Sequence, residues 1–531
     1  METLPINNFA GRLTRITNGD INSGFAKFST THSVHPFEVP GSLLFFENPV
    51  RIDSGGTVIT DLIVAGKVRV ESAITYVYAI GHLGRLYRIQ VNDPTLFNPD
   101  YDNAVLLATL TAQSPTFTRG GSMDFYGTTE RIFIGHDQGV TRIDFDGTNE
   151  TFIGTLSSYT ANVPRPLKQF LGNLYFGNGE NIGEIVAGAT VADYTRLSPG
   201  FPSGTQVRDL DIVPDGGYLE IVVNRLALSS IIATTPDTAN IANMDSYVFK
   251  WNGTDTGYTS YITFPSYSLT ANIAFGQYKF LFGYDMTGHV VYFGDQKILT
   301  PLFTQAPLPN AVGSNGNIVG WLSPEYDFVS GTLRLTEFIY GPLDLDFQAH
   351  SWYRQFQIAA SGDETDILRA PFTVLVSNLN LGASNSGYTV DRIGSGKLYF
   401  STLETSSTTT DYKLYRFNVI TLSSTNAIAG VYETQTQLFS KKIAVKEVRV
   451  YGEPWVTNNS FTIALIGSDG NPIAGSSLTL TAGTNLTVGD DFAWYNPQME
   501  ATFALGLRIT NAGSVTPTIS KVEIDHEPSG K

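Results

Sequence analysis

The chain has 531 residues, of which 15% are charged, 12% are aromatic and 51 are glycine. It contains no cysteine, which excludes a disulfide scaffold and thiolate metal sites, and its net charge of -16 disfavours binding to nucleic-acid phosphates. The length predicts two or three domains or one large repetitive domain, and the composition is typical of many short strands joined by glycine-containing turns.

The N-terminus lacks the apolar stretch of a signal peptide, and no window approaches the roughly 18 continuous apolar residues that a membrane helix requires. We therefore expect no membrane span. We also expect the chain to be made and assembled in the cytosol, and to leave by a route such as lysis.

Residues 1–56 do not follow the strand pattern of the rest of the chain. They are predicted to form an extended N-terminal arm with one anchoring strand. The apolar cluster Leu43, Leu44, Phe45 and Phe46 is the candidate for contact with another subunit or partner, because such an arm often reaches a neighbouring chain.

Residues 57–431 contain apolar hairpins that recur with a period of roughly 40 to 60 residues, which matches the four-stranded blade of a β-propeller. The weak sixth repeat leaves six blades as the alternative to seven, and an insertion at 226–243 divides the fourth repeat. Each repeat contributes one aromatic or β-branched anchor: Tyr78, Phe133, Phe176, Val222, Phe282, Tyr340 and Phe400.

The sequence GHLGRLYRI at 81–89 returns as GHDQGVTRI at 135–143. We interpret both copies as the hairpin between two strands of a blade, where glycine permits sharp reversal and close approach of backbones. His82 and His136 are then turn residues in two different blades, and not two ligands of one metal ion.

The loop at 144–150, DFDGTNE, is rich in oxygen ligands but lacks the third acidic position and the distal glutamate of an EF-hand. It is predicted to be a hairpin turn with positive φ, and a calcium site is the alternative.

Several acidic residues occur where inner strands of blades are expected to begin. Inward-facing carboxylates can hydrolyse glycosidic bonds, but none of these stands in a recognisable motif, and no P-loop, HExxH or GxSxG sequence is present. We therefore predict a protein that is not an enzyme and has no cofactor and no metal. The acidic candidates are Asp124, Asp137, Asp209, Asp211, Asp285, Glu325 and Asp327.

Residues 432–531 contain strands with alternating apolar and polar residues, and the length and pattern of this segment match one antiparallel β-sandwich of jelly-roll type. The predicted fold is therefore all-β, with an N-terminal arm, a propeller and a C-terminal sandwich. Trp455 and Trp494 in the sandwich are candidates for an exposed glycan platform, and packing in the core or at a strand edge is the alternative.

Three stretches carry a resemblance in layout: FAGRLTRITNGDINSGFAKFSTTHSVHPFEVPGSLLFFENPVRID, YVYAIGHLGRLYRI and KKIAVKEVRVYGEPW. Together they resemble virion proteins of tailed bacteriophages, in particular tail-hub and nozzle proteins of short-tailed phages, including the packaged-DNA-stabilisation type. The resemblance implies a propeller joined to smaller β domains in a subunit of a ring, often sixfold, stacked under the portal and lining or closing the DNA passage.

From this resemblance we expect a structural component of a virion tail, assembled in the host cytoplasm. Its expected partners are further copies of itself in a homo-oligomeric ring, other virion tail proteins, and DNA in transit without sequence-specific binding. Two alternatives remain: a tail protein that binds a receptor or glycan, and a propeller glycosidase or lyase.

Overall fold

The computed structural model describes residues 2–6, 28–32, 34–35, 43–45, 50–51, 59–60, 63–91, 104–117, 121–186, 190–213, 217–225, 245–265, 267–275, 278–285, 288–294, 299–305, 325–329, 332–343, 349–359, 372–376, 386–393, 397–405, 410–418, 431–434, 436–511, 515 and 517–529.

Five short strands precede the propeller: β1 Glu2–Ile6, β2 Phe28–His32, β3 Val34–His35, β4 Leu44–Phe45 and β5 Val50–Arg51. The strands of the repeats are β6 Ile63–Glu71, β7 Ile74–Gly81, β8 Arg85–Val91, β9 Ala104–Thr109, β10 Ser122–Tyr126, β11 Arg131–His136, β12 Gly139–Ile143, β13 Thr151–Phe152, β14 Leu167–Phe170, β15 Asn173–Gly177, β16 Ile182–Val186, β17 Thr190–Asp193, β18 Gln206–Ile212, β19 Leu219–Asn224, β20 Asp245–Trp251, β21 Ser260–Pro265, β22 Tyr267–Phe275, β23 Tyr278–Asp285, β24 Gly288–Gly294, β25 Leu299–Gln305, β26 Glu325–Val329, β27 Thr332–Leu343, β28 Ala349–Ala359, β29 Phe372–Val376, β30 Ser386–Ile393, β31 Lys397–Thr405 and β32 Thr410–Asn418. The C-terminal strands are β33 Val431–Thr434, β34 Gln437–Gly452, β35 Ser460–Ile466, β36 Leu478–Thr481, β37 Phe492–Tyr495, β38 Thr502–Asn511 and β39 Ile519–Pro528.

The repeats fold into seven four-stranded antiparallel sheets, one after another along the chain. The first six are β6 to β9, β10 to β13, β14 to β17, β18 to β21, β22 to β25 and β26 to β29. The seventh consists of β30, β31 and β32, and its fourth strand is β5 from the N-terminal segment. The last blade is thus completed by a strand that precedes the first blade.

The first strand of each sheet lies on the inner side of the ring. The first strands of the first five blades, β6, β10, β14, β18 and β22, contact one another in this order, and β30 of the seventh blade contacts β6 of the first. This last contact closes the array into a ring, because it joins the two ends of the repeat. The prediction of an all-β fold with a seven-bladed propeller and a C-terminal sandwich is therefore confirmed.

The positions of the sequence anchors explain why the sequence predicted seven blades, with six as the alternative. All seven anchors lie on the second strand of successive sheets: β7, β11, β15, β19, β23, β27 and β31. In the first four blades the second strand is largely buried, with neighbouring strands at its edges and adjacent blades on its faces, so most of its residues are apolar.

The strand β11 shows how blades pack against each other, because its two faces contact two different blades. Ile132 and Ile134 pack with Tyr78 of the first blade, whereas Phe133 packs with Phe176 of the third. Phe133 is completely buried, and such burial contributes about 1.5 to 3 kcal/mol to folding. Alternate residues of one strand therefore stabilise two different junctions.

The C-terminal strands form two antiparallel sheets around one core. One sheet has the order β1-β39-β34-β37 and the other the order β2-β33-β38-β35-β36, and β34 also pairs with β38 where the sheets meet. Val448 and Ile524 from the first sheet share the core with Ile463 and Leu507 from the second. The arrangement is an antiparallel β-sandwich.

The N-terminal segment has five strands instead of the single anchoring strand that was predicted. β1 pairs with β39 and β2 with β33, so each sandwich sheet receives an edge strand from the start of the chain. The predicted partner contact at Leu43 is wrong, because Leu43 is fully buried in the sandwich core and exchanges backbone hydrogen bonds of 2.6 and 2.9 Å with Ile519.

Helical structure within the described ranges is limited to one 3-10 turn, Leu156–Ser158. The same ranges hold no helix that is both long and apolar enough to cross a membrane. The insertion at 226–243 lies outside the described residues. Its flanking strands β19 and β20 are hydrogen-bonded neighbours, so both belong to the fourth blade.

Candidate functional site

The inner strands of the first four blades carry charged side chains that alternate in sign from blade to blade. Lys67 on β6 pairs with Asp124 on β10 at 2.5 Å, and Lys168 on β14 pairs with Asp211 on β18 at 2.9 Å. Burial lowers the pKa of Lys168, but Asp211, Asp209 and Asp124 outweigh burial and hold its pKa above the ordinary value. We call these residues, with Asp209, the inner-wall cluster.

Asp209 differs from its neighbours because backbone amides hold both of its oxygens. Leu210 N–H donates to Oδ1 at 2.9 Å and Asn272 N–H donates to Oδ2 at 3.0 Å. Burial raises the pKa of Asp209 to about 7, and the nearby charge of Asp211 acts in the same direction. Asn272 lies on β22 and also donates to Glu220 at 3.1 Å, so this contact joins the fourth and fifth blades.

Of the remaining acidic candidates, Asp137 alone has a described side chain. Asp137 is fully buried in the turn between β11 and β12. Asp285 ends β23, a second strand, and Glu325 and Asp327 lie on β26, but the side chains of all three lie outside the described residues. Among the described side chains, no three or more histidine, aspartate or glutamate residues are grouped so that they could hold a metal ion.

The two histidines of the repeat occupy the same hairpin of different blades but have different environments. His82 is partly exposed in the turn between β7 and β8, where Gly84 has a φ of +77°. His136 is instead the last residue of β11 and is 1% exposed, with Nε2 at 3.0 Å from the Thr141 hydroxyl. Burial lowers the pKa of His136 to about 4. The repeat therefore reflects a shared hairpin shape and not a shared chemistry.

The loop at 144–150 forms the predicted turn, with positive φ at Gly147 (+85°) and Asn149 (+55°). Its carboxylates are engaged within the protein. Asp144 pairs with Arg131, and Glu150 accepts the backbone N–H groups of residues 111 and 112 at 2.8 and 2.7 Å. This loop thereby ties the second blade to the linker that follows the first.

Sequence reasoning missed Arg165, which lies in the linker from the second blade to the third. Arg165 is 3% exposed, and its guanidinium donates to the backbone carbonyls of His136 at 3.0 Å, Gly177 at 2.8 Å and Thr160 at 2.7 Å. It also lies over the Tyr159 ring at 4.8 Å. Burial lowers the pKa of Arg165 to about 10, so it stays charged at neutral pH.

Gly135, a glycine of the repeat, lies at the same junction between the second and third blades, and the packing there explains why this position is glycine. A Cβ on Gly135 would collide with the carbonyl oxygen of Arg165 and with the Ser122 side chain. The close approach predicted for the repeat glycines therefore occurs here against the linker to the next blade. Proline on both sides of Arg165 is the only local sequence signal of a rigid linker.

The two tryptophans proposed as a glycan platform lie in opposite environments. Trp455 is 1% exposed and packs on Phe461 in the sandwich core, so its prediction as an exposed platform is wrong. Trp494 is 55% exposed on β37, where Ala493 and Tyr495 point into the core. The alternation of this strand places Trp494 on the outer face of its sheet.

Charged side chains surround Trp494 on that outer face. Arg449 is directly opposite it on β34 and forms ion pairs with Glu447, Glu523 and Asp525 from β34 and β39. The Thr3 hydroxyl on β1 donates to Asp525 at 2.6 Å. This bond lowers the pKa of Asp525, and Arg449 acts in the same direction.

The rest of the predicted partner cluster is described only through its backbone. Leu44 and Phe45 form β4, which pairs with β3. Phe46 lies outside the described residues.

Comparisons with known proteins find structures of similar fold but assign the chain to no family. No known family and no curated protein sequence matches the chain. An extracellular domain from B. thetaiotaomicron is 9% identical with a TM-score of 0.39, over 92% of this chain and 60% of that chain. Chaetomium thermophilum Raptor is 9% identical with a TM-score of 0.40, over 72% of this chain and 30% of that chain. Trypanosoma rangeli sialidase is 8% identical with a TM-score of 0.33, over 95% of both chains.

The chain thus spans less than two thirds of the length of the first two of these structures. Likeness at these identities and TM-scores carries no information on function.

Proposed function

We propose that this chain is a non-enzymatic structural protein of a bacteriophage tail, a subunit of a hub, nozzle or adaptor ring. The observation that carries the proposal is the double use of the N-terminal segment. β5 completes the seventh blade, while β1 and β2 complete the two sandwich sheets. Each is held by an antiparallel ladder of backbone hydrogen bonds. One segment thereby holds both parts of the chain, which suits a subunit that must keep its shape under load.

The charge distribution supports a passage that DNA crosses without being bound. The chain carries a net charge of -16, and like charge repels phosphates. Lys67 and Lys168 on the inner strands are paired with aspartates from neighbouring blades. Each cation is therefore neutralised within the wall, and the inner-wall cluster offers little attraction to a phosphate backbone.

The proposed partners are identical copies in a ring, sixfold in the first instance, together with other virion tail proteins. The chain would assemble in the host cytoplasm and reside in the virion. Electron microscopy of the purified chain, alone and mixed with the products of adjacent genes, tests this proposal. We expect closed rings in at least one of these samples, and the adjacent gene products without the chain are the control. Dispersed monomers in both samples would overturn the proposal.

Hydrolysis at the inner wall is the second candidate function, and one observation favours it. A carboxyl group with a pKa of about 7, such as Asp209, is suited to general acid catalysis near neutral pH. Against this role, both oxygens of Asp209 accept backbone N–H groups, and the carboxylates of Asp124 and Asp211 are paired with lysines.

Incubation of the chain with host polysaccharides distinguishes the structural function from hydrolysis. We expect no release of reducing ends by the wild type. Turnover that is lost in Asp209→Asn and kept in Asp146→Asn would establish the hydrolase, because Asp146 is an acidic residue of the exposed turn after β12.

A further inference from the structure

We infer that the outer face of the sheet β1-β39-β34-β37 is a binding site for neutral oligosaccharides, with Trp494 as the platform on which a sugar ring stacks. This inference goes beyond the structural role proposed above and does not depend on it. It rests on exposed aromatic rings, on an ordered polar surround and on the sign of the local charge.

The aromatic part of the site comes from two adjacent strands. Trp494 and Phe492 on β37 are 55% and 37% exposed, and Tyr451 on β34 lies directly opposite Phe492 with ring centroids 5.1 Å apart. Within the described residues β37 pairs only with β34, so this row lies at the edge of its sheet. The electron-rich face of an aromatic ring attracts the weakly positive C–H groups of a pyranose, and an edge position leaves that face accessible.

The polar part of the site is held in place before any ligand arrives. Arg449 lies between Glu447, Glu523 and Asp525, with Nε at 3.3 Å from Glu447 and an Nη atom at 3.5 Å from Glu523. The Tyr451 hydroxyl donates to Glu523 at 3.0 Å. The Glu447 carboxylate is 35% exposed and has about four lone-pair sites, so it can accept a sugar hydroxyl while it stays paired with Arg449. Preorganised planar groups lower the entropy lost on binding.

The charge of the face selects the class of ligand. Glu447, Glu523 and Asp525 oppose Arg449 and Lys521, and Lys521 itself pairs with Glu523. Three carboxylates against two cations leave one net negative charge. This charge disfavours sialylated, sulfated and phosphorylated ligands. A protein partner would have to cover these ion pairs and remove them from water, whereas sugar hydroxyls can bond to both signs of charge.

The test uses the full chain on an array that presents neutral hexose oligosaccharides and their sialylated counterparts. Calorimetric titration with the best neutral oligosaccharide then compares the wild type with Trp494→Ala and Phe503→Ala. Phe503 is the matched control, since it is 52% exposed on β38 and lies outside the site. We expect neutral binding, an affinity loss of about tenfold or more in Trp494→Ala, and an unchanged affinity in Phe503→Ala.

Three results would overturn the inference: no neutral oligosaccharide bound by the wild type, equal binding of sialylated counterparts, or unchanged affinity in Trp494→Ala. Equal thermal unfolding midpoints of the two variants show that both are folded. If Trp494→Ala is poorly folded, Trp494→Leu keeps an apolar side chain without the aromatic face and is expected to lose affinity as well. We expect ring assembly seen by microscopy to be unaffected by these substitutions, so the two proposals can fail separately.

Discussion

Two arginines lie at the centres of polar clusters in this protein, and their surroundings differ. Arg165, between the second and third blades, is 3% exposed and donates mainly to backbone carbonyl oxygens. Arg449, on the outer face of the sandwich, keeps a quarter of its side chain exposed and pairs with carboxylates. The first cluster joins two blades, and the second shapes a surface.

The difference shows which polar groups are expected to matter for stability and which for recognition. Removing Arg165 would leave several buried carbonyl oxygens without a hydrogen-bond donor, and each such loss is expensive. Removing Arg449 would leave Glu447 with 35% of its side chain exposed to water, and Asp525 would keep its hydrogen bond from Thr3, so a smaller loss of stability is expected. Four experiments break or sharpen this comparison, from the largest expected effect to the smallest.

Deletion of residues 1–51 tests the closure on which both clusters depend. It removes β5 from the seventh blade and β1 and β2 from the sandwich. We expect little or no soluble folded protein, because the open sheet edges and the uncovered core favour aggregation. Soluble yield and circular dichroism measure the effect. The shorter deletion of residues 1–6 is the control, because it removes only β1 and should leave a soluble protein. If the chain 52–531 unfolds cooperatively and is as stable as the full chain, the expectation for the longer deletion is wrong.

The substitution Arg165→Met tests the blade junction. We expect a loss of roughly 3 to 5 kcal/mol in the free energy of unfolding, since buried carbonyls of His136, Gly177 and Thr160 lose their donor. Chemical denaturation followed by fluorescence measures the change. A loss below about 1 kcal/mol would mean that solvent or neighbouring groups satisfy these oxygens.

Acidification tests the same junction through His136. Its pKa is about 4 in the folded chain and about 6.5 when unfolded, so the unfolded state binds the proton first. Its contribution to stability is complete above pH 6.5 and falls by up to about 3 kcal/mol as the pH is lowered to 4. Denaturation of wild type and His136→Gln between pH 4 and 7 isolates this slope. His82→Gln is the matched control from the other copy of the repeat, and it should keep the wild-type slope.

The smallest effect is expected for Arg449→Met. We expect a change below about 1 kcal/mol in the free energy of unfolding, because the ion pairs of Arg449 are partly exposed. Denaturation under the conditions used for Arg165→Met gives a direct comparison. A loss as large as that of Arg165→Met would show that the outer face supports the sandwich fold.

Much of the propeller could be predicted from the sequence, whereas most of the candidate site could not. The anchors from Tyr78 to Phe400 all lie on the second strand of a blade, and those of the first four blades are fully buried, so the pattern is local to each repeat. Arg165 gave no comparable signal, since its hydrogen bonds connect the linker to two blades. Asp124 and Asp211 were named as candidates, but their lysine partners lie on neighbouring blades.

The sequence by itself determined the all-β class, a propeller of six or seven blades and the sandwich, because alternating apolar residues and turn residues occur within each hairpin. Only the tertiary structure decided that β1, β2 and β5 pair with strands hundreds of residues away, since strands of two to five residues carry too little pattern to name a partner. It also decided that Trp455 is buried and Trp494 exposed. Alternation separates the two faces of a strand, but only packing against the second sheet determines which face meets water.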